Sequence, residues 1–314
     1  MLPNAHPGAV PLAKAICLAA AVALLAGCDE PSDAGRVKLV WGQQGISDGR
    51  LQKPRAMAID GQDHLYIVDM TAHIQVFDTE GHFIRGWYTP THDNGRPTGI
   101  SIGRDGRVLV PDTHYFRVLI YSPAGDLLQT VGGTNGTGPG TFGFVTDVAE
   151  DNDGNYYIAE YGEHDRIQKF SHDGNFIKQW GGHGVEPGEF IRPQSIIFDE
   201  QQRLWVADSC NHRIQVFNTD GELLFLWGEE GPLPGQLQYP YSLIFDPEGN
   251  LYICEYGNHR LQKFTREGKP LGCWGTHGRG PGQMHNPWAV VQDSGGNLHI
   301  LDSSNHRVQQ IPAF

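Results

Sequence analysis

The chain has 314 residues, a net charge of −13 at pH 7 and no run of Lys or Arg. Such an acidic chain repels phosphate groups, so the composition argues against binding of nucleic acid and against adhesion of the folded part to anionic lipid. The 41 glycines are nearly twice the expected number, since the average share is about 7%. They indicate a fold with many tight turns.

The first 28 residues have the pattern of an export signal. Lys14 precedes an apolar stretch, Ala15 to Leu25, that is too short to span a membrane and is typical of a signal peptide. The four residues that end at Cys28, LAGC, resemble a bacterial lipobox, in which the cysteine is lipidated and becomes the mature N-terminus. The alternative is an ordinary cleaved signal with an incidental cysteine.

On the lipobox interpretation, residues 1–27 are removed and residues 28–35 form a lipidated tether. The protein would then be held to a bacterial cell envelope, on the periplasmic or extracellular side. Asp29 resembles the cue for inner-membrane retention in some Gram-negative bacteria. Since residues 1–27 contain one Lys and no acidic residue, their removal takes the net charge from −13 to −14.

Cys17 would leave with the signal and Cys28 would carry the lipid, so three cysteines remain, Cys210, Cys254 and Cys273. Their spacing does not match a metal-binding motif. A bridge between Cys210 and Cys254 and a set of buried free thiols both remain open.

Six copies of one sequence pattern follow the tether. The triplet Asn211-His212-Arg213 recurs 47 residues later, and again after another 47, with His259 and His306 at its centre. Looser copies end at Phe77, Tyr121 and Phe170. A fixed period in the forties predicts a repeat architecture.

Each copy contains four short apolar runs bounded by turn formers. In the fourth copy these runs are PQSIIFD, RLWVAD, HRIQVF and ELLFLWG. Runs of about five residues, rich in β-branched and aromatic side chains, are typical of strands. Four antiparallel strands repeated six times predict an all-β fold, a six-bladed β-propeller.

The two ends of the pattern predict how the propeller closes. The run RVKLVWG, at residues 36–42, has the pattern of a fourth strand with no first three, and the sixth copy stops after its third strand. The N-terminal run therefore completes the last blade and removes the exposed edges of an open array. We expect one propeller domain over residues 36–314.

The segment LWVADSCNHRIQVFNTDGELLFLWG, at residues 204–228, resembles the NHL repeat, which is named after its Asn-His-Leu signature. The resemblance covers residues 36–314 and is strongest in the third to sixth copies. It implies a propeller that works as a binding, scaffold or sensor module. We expect a monomer that binds a protein or a small polar or peptidic ligand, and no nucleic acid.

The repeated histidines and arginines are interpreted as structural, because a catalytic group is needed only once. We expect His212, Arg213 and their counterparts to bond the acidic residue of the preceding strand, or nearby backbone.

A ligand site is expected where the copies differ. The start of each first strand lies beside the central channel, and there the copies carry Arg55, Gln194, Tyr241 and Trp288, with Asp147 one place further on. The loops between the second and third strands, on the same face, add four residues, His114, Tyr161, His164 and Tyr256. Aromatic and polar residues around a concave mouth predict a pocket. The alternative is a water-filled mouth without a ligand.

Residues 145–181 are also similar to the repeats of the peptidyl-hydroxyglycine amidating lyase. Five of the copies open with a proline, namely Pro54, Pro97, Pro193, Pro240 and Pro287. The resemblance implies a zinc ion in the channel, held by histidines that directly follow such prolines. None of the matching residues is a histidine, so the zinc set is not carried over, and we expect no cofactor. The alternative is a metal-dependent lyase or hydrolase with one Zn or Ca ion, held by His114 and His164 with Glu163 or Asp147.

Overall fold

The computed structural model describes residues 35–162 and 164–314, which form six four-stranded antiparallel sheets. The sheets are the blades of a six-bladed β-propeller, so the predicted fold is confirmed. The predicted signal peptide and Cys28 lie outside the described residues.

Within each blade the strands follow one another in chain order from the channel outwards, except that the outer strand of the sixth blade is the N-terminal strand. The strands of the first three blades are β2 (Ala56–Ile59), β3 (Leu65–Val68), β4 (His73–Phe77) and β5 (Phe83–Tyr88), then β6 (Ser101–Ile102), β7 (Val108–Asp112), β8 (Arg117–Tyr121) and β9 (Leu127–Gly132), then β10 (Phe144–Glu150), β11 (Tyr156–Tyr161), β12 (Arg166–Phe170) and β13 (Phe176–Gly181).

The remaining blades repeat this order. Their strands are β14 (Pro193–Phe198), β15 (Leu204–Asp208), β16 (Arg213–Phe217) and β17 (Leu223–Trp227), then β18 (Pro240–Phe245), β19 (Leu251–Glu255), β20 (Arg260–Phe264) and β21 (Pro270–Trp274), then β24 (Ala289–Gln292), β25 (Asn297–Asp302), β26 (Arg307–Pro312) and β1 (Leu39–Trp41). Two short strands, β22 (Thr276–His277) and β23 (Gln283–Met284), pair in parallel between the last two blades.

The N-terminal strand closes the propeller, as the sequence predicts. Strand β1 pairs antiparallel with β26, with Leu39 opposite Gln310 and Trp41 opposite Val308. The sixth sheet therefore has the order β1-β26-β25-β24, and its outer strand comes from the other end of the chain.

Tryptophan and glycine keep the same period because they pack against each other across neighbouring blades. The indole of Trp41, in the outer strand of the sixth blade, lies against Gly81, in a hairpin of the first blade. Gly81 has a φ of +86°, and an added Cβ would collide with the indole. Trp180 and Gly221 repeat the contact between the third and fourth blades. These positions need glycine for conformation and for space.

In the described part of the chain the helices are three 3-10 turns, Thr113–Tyr115, Ser209–Asn211 and Ser303–Asn305. None of the helices described is long and apolar enough to cross a membrane. Cys210, Cys254 and Cys273 are free thiols. Burial was expected for all three, but Cys273 is exposed on the outer strand β21, and only Cys254 is fully buried.

Candidate ligand site at the channel mouth

The repeated arginine is a structural residue. Arg213 Nε donates to the buried carboxylate of Asp208 at 2.7 Å, and its terminal nitrogens donate to the carbonyls of Val185 and Glu186 in the preceding inter-blade loop. Arg260 makes the same bond to Glu255 at 2.6 Å. The acidic residue and the arginine form this pair in five of the six blades, as the sequence analysis expected.

The repeated histidine has a different partner. His212 Nδ1 accepts a hydrogen bond from the N–H of Tyr239 at 3.1 Å, and His306 Nδ1 accepts from the N–H of Lys53 at 2.9 Å. Both histidines have positive φ angles, 55° and 58°, which aim the ring at the start of the next blade. The sequence analysis expected both residues to bond the acidic residue or nearby backbone. The arginine bonds the acidic residue and backbone carbonyls, whereas the histidine accepts from a backbone N–H of the next blade.

The six residues at the starts of the first strands line one cavity at the channel mouth. The cavity continues along the first strands down the channel, as far as Ile59 and Ile244, and its volume is about 240 Å³. The six residues, one from each blade, are Arg55, Thr98, Thr146, Gln194, Tyr241 and Trp288. Asp147 lies among the residues that line the same cavity. The structure thus brings together all five of the candidates predicted beside the channel.

β-Bulges place several of these residues at the mouth. The register of β14 against β15 shifts between Pro193 and Ser195, which makes Gln194 the extra residue. Tyr241 is the extra residue of β18 in the same way. A bulge bends its strand and redirects a side chain.

Three aromatic rings form one wall of the mouth. The rings of Tyr241 and Tyr256 stack at 4.6 Å, and Trp288 meets them edge-on at 5.0 and 5.7 Å. The guanidinium of Arg55 lies 5.8 Å from the centre of a Trp288 ring. Burial raises the pKa of Tyr241 to about 12, so its hydroxyl stays protonated.

Arg192 lies beside the mouth, although it is not among the residues that line the cavity, and the sequence analysis missed it. Its guanidinium lies 4.9 Å from the ring of Tyr161 and 5.7 Å from that of Tyr241. Its Nε donates to Gln194 Oε1 at 3.2 Å. The comparison of the copies began after each proline, whereas Arg192 stands just before Pro193. The signal was present, since Lys53 and Arg96 hold the same place in the first two copies.

Asp147 is the acidic group of the channel. Its Oδ1 accepts from the N–H of Val148 and its Oδ2 from the N–H of Ile196 in the next blade, each at 2.9 Å. Burial outweighs these hydrogen bonds and raises the pKa of Asp147 to about 7. The carboxyl therefore titrates near neutral pH.

None of the four predicted loop residues, His114, Tyr161, His164 and Tyr256, lines the cavity, although Tyr256 stacks on Tyr241, which does. His114 lies on a 3-10 turn, with its ring 5.4 Å from that of Phe144 and packed against Gly95. His164 is exposed in the loop between β11 and β12.

Of the two histidine-based metal sets suggested by the sequence, the one with Asp147 is not assembled among the described residues, and the one with Glu163 stays a prediction. Within residues 35–162 and 164–314, the one group of three His, Cys or acidic side chains with converging ligand atoms is Asp78, Glu80 and His82. These three lie together at the hairpin between β4 and β5, with Glu80 and His82 exposed. His114, His164 and Asp147 do not converge in this way. Glu163 lies outside the described residues.

The family model of the NHL repeat matches residues 190–217, 237–264 and 284–311. Each match covers an inter-blade loop and the first three strands of a blade. The protein is a six-bladed β-propeller whose last three blades are NHL repeats. The three earlier copies, two of which resemble the repeat less closely, fold as blades of the same kind.

Among curated proteins, the chain is 32% identical to mouse NHL repeat-containing protein 3 over 172 residues, which are 49% of each chain. It is 34% identical to peptidyl-glycine alpha-amidating monooxygenase B of Xenopus laevis over 125 residues, 37% of this chain and 14% of that protein. The chain thus spans about half the length of the first relative and a small part of the second.

Among solved structures, a streptogramin B lyase superimposes with a TM-score of 0.63 at 14% identity, covering 87% of this chain and 96% of the other. At this identity the likeness shows the fold alone.

Proposed function

We propose that this NHL-repeat propeller is a binding module that holds its ligand at the channel mouth, and that lipidated Cys28 fixes it to the outer side of a bacterial membrane. The binding proposal rests on one observation: the repeated side chains and the variable side chains have different roles. Residues that repeat, such as Arg213 and His212, hold the blades together, whereas residues that vary, such as Gln194 and Tyr241, converge on one cavity.

The scaffold supports this role because the mouth is preorganised. Thr146 Oγ1 donates to the carbonyl of Pro193 at 2.6 Å, and Ser101 Oγ donates to the carbonyl of Val148 at 2.6 Å, so the inner strands of neighbouring blades are bonded to each other. A rigid frame lowers the entropic cost of ordering the site on binding. The variable residues then select the ligand.

A compound screen read at Trp288 tests the binding proposal. The protein would be labelled with 5-fluorotryptophan, and the resonance of Trp288 would be assigned as the one lost in Trp288→Phe. A mixed library of neutral, cationic and anionic metabolites and short peptides would then be added. We expect at least one compound to shift this resonance saturably, with the shift lost in Tyr241→Ala and kept in Tyr88→Ala, a substitution on the exposed outer edge. If no compound shifts it, the proposal fails.

The membrane anchor needs its own test because the signal and tether lie outside the described residues. We expect metabolic incorporation of a labelled fatty acid into the full chain and none into Cys28→Ser. Equal labelling of both proteins, or no label on the parent, would contradict the anchor.

A metal-dependent lyase or hydrolase is the second candidate, and Asp147 is the observation that favours a reaction at this site. A carboxyl with a pKa of about 7 suits general acid–base chemistry near neutral pH. The matched amidating monooxygenase supports trying peptides that end in hydroxyglycine. Turnover that depends on an added divalent ion and is abolished in Asp147→Asn would establish the enzyme. Retained turnover in that variant would remove Asp147 from the reaction.

A further inference from the structure

We infer that the channel mouth selects an anionic ligand, a small organic carboxylate or phosphate with a planar group, held between Arg55 and Arg192. This inference rests on the proposed binding function and adds the charge class of the ligand. It follows from the arrangement of three arginines and four aromatic rings.

Three arginines from different blades approach one another at the mouth. Arg55 lies over Trp288, and Arg192 lies over Tyr161 and Tyr241. Burial lowers the pKa of Arg55, and the nearby positive charges of Arg192 and Arg96 act in the same direction. Like charges that share one mouth repel one another, and a bound anion would offset this repulsion.

Within the described residues, none of these three arginines forms a salt bridge, although the chain has 36 acidic residues and 23 basic ones. The structural arginines behave in the opposite way. Five of them bond an acidic side chain of their own blade, namely Arg117, Arg166, Arg213, Arg260 and Arg307. Among the described residues these three arginines have no acidic partner, which makes the mouth a candidate site for an external anion.

Two acidic groups of this region are already engaged elsewhere. Both carboxylate oxygens of Asp147 accept backbone N–H groups. Asp165 accepts the backbone N–H of Arg192 at 3.1 Å and pairs with His183. Neither lies within salt-bridge distance of the guanidinium of Arg55 or Arg192, so these cations keep donors for a ligand.

The three arginines differ in how many N–H donors they keep for a ligand. Arg96 donates to the carbonyls of Met70 and Gly95, so it mainly adds positive charge. Arg192 uses its Nε for Gln194, and its terminal nitrogens make no hydrogen bond to another described residue. A guanidinium has five N–H donors in a planar fork that matches a carboxylate or phosphate. Arg55 and Arg192 therefore form the clamp.

The aromatic wall and the cavity volume define the rest of the ligand. Tyr241, Tyr256 and Trp288 place an apolar aromatic surface beside the two cations, and within it Tyr241 is buried by its stack with Tyr256. The cavity volume of about 240 Å³ is below the roughly 300–1,000 Å³ of pockets for drug-sized ligands. The occupant is thus a small molecule or the terminal group of a larger one.

Calorimetric titration with a matched pair of compounds tests this inference. Hippurate carries a planar ring and a carboxylate, and hippuramide is its neutral amide. We expect hippurate to bind at least about tenfold more tightly than hippuramide, the size of an effect that a charge-assisted hydrogen bond supplies. Arg55→Gln and Arg192→Gln should each weaken hippurate binding about tenfold, whereas Arg279→Gln, an exposed loop residue, should leave it unchanged.

The outcomes separate this inference from the binding proposal. Melting temperatures of the variants would first show that each is folded. Equal binding of hippurate and hippuramide, unchanged hippurate affinity in both clamp variants, or no hippurate binding at millimolar concentration would each overturn the anion inference. If the compounds that shift Trp288 are neutral or cationic, the anion inference fails and the binding proposal stands. If no compound shifts Trp288, the binding proposal fails as well.

Discussion

His259 Nδ1 accepts a hydrogen bond from the backbone N–H of Asn286 at 3.1 Å, and so joins the fifth blade to the loop that opens the sixth. A ring nitrogen that accepts a hydrogen bond carries no proton, so this contact requires neutral His259. Burial lowers the pKa of His259, and the nearby rings of His277 and His285 add to the effect. The junction is therefore sensitive to acid.

We predict that acid weakens this junction. The unfolded chain takes up a proton near the ordinary histidine pKa of about 6.5, and the folded chain does so only at lower pH. The stability from this contact is therefore complete above about pH 6.5 and is lost as the pH falls through the folded pKa. We expect the melting temperature to fall between about pH 7.5 and 5.5.

His259→Asn provides the control, because asparagine tolerates the positive φ of this position and does not titrate. This variant should have a lower melting temperature at neutral pH and a flatter pH profile. NMR of the Asn286 amide would show the local change. A wild-type melting temperature that stays constant over this range would contradict the prediction.

Arg213 and Arg192 allow a direct comparison of a structural and a ligand-site arginine. Arg213→Gln leaves the fully buried Asp208 carboxylate without its cation, and should lower the free energy of unfolding by about 3 kcal/mol. Arg192→Gln removes no salt bridge between described residues and should change it by less than about 0.5 kcal/mol. Chemical denaturation measures both. A similar loss in the two variants would show that Arg192 also holds the fold together.

Closure by the N-terminal strand makes a further prediction. Trp41 packs at 4.9 Å against Phe77, so it links the last strand of the sixth blade to the first blade. Trp41→Ala should lower the free energy of unfolding by about 3 kcal/mol. Val40→Ala, beside it on the exposed side of the strand, should cost about 0.5 kcal/mol or less. Equal effects, measured by denaturant unfolding, would contradict this closure.

Asp147 should make anion binding depend on pH. Its pKa is about 7, so it gains a negative charge as the pH rises through neutrality. That charge opposes an anion at the mouth, and hippurate affinity should fall severalfold between about pH 6 and pH 8. Calorimetry at both pH values measures the change, which Asp147→Asn should remove. Unchanged wild-type affinity, with an Asp147 carboxyl resonance that titrates near an ordinary pKa, would contradict this prediction.

The blades could be predicted because their causes are local and repeated. Hairpin turns such as Asp220-Gly221 and acidic–arginine pairs such as Asp208 and Arg213 recur at the blade period. The closing strand could be predicted from the same repeat, since Trp41 aligns with the tryptophans that end the outer strands of the other blades. The inter-blade role of His212 was less visible, because its partner, the N–H of Tyr239, is a backbone group with no sequence signal.

The mouth could be predicted only in part. Comparing the copies found Gln194 and Tyr241, which bulges place at the channel, but missed Arg192, because the comparison began after each proline and Arg192 precedes Pro193. The loops between the second and third strands also differ in conformation. A 3-10 turn directs His114 against Gly95, and no regular spacing predicts that packing.

The most direct test of the binding account is a crystal structure of the protein grown with hippurate. We predict the carboxylate within about 3 Å of the guanidinium nitrogens of Arg55 or Arg192, which is hydrogen-bond distance. The ring of the ligand should lie against Tyr241 or Trp288. Hippurate bound elsewhere on the propeller, or a mouth without ligand density at saturating concentration, would contradict the account.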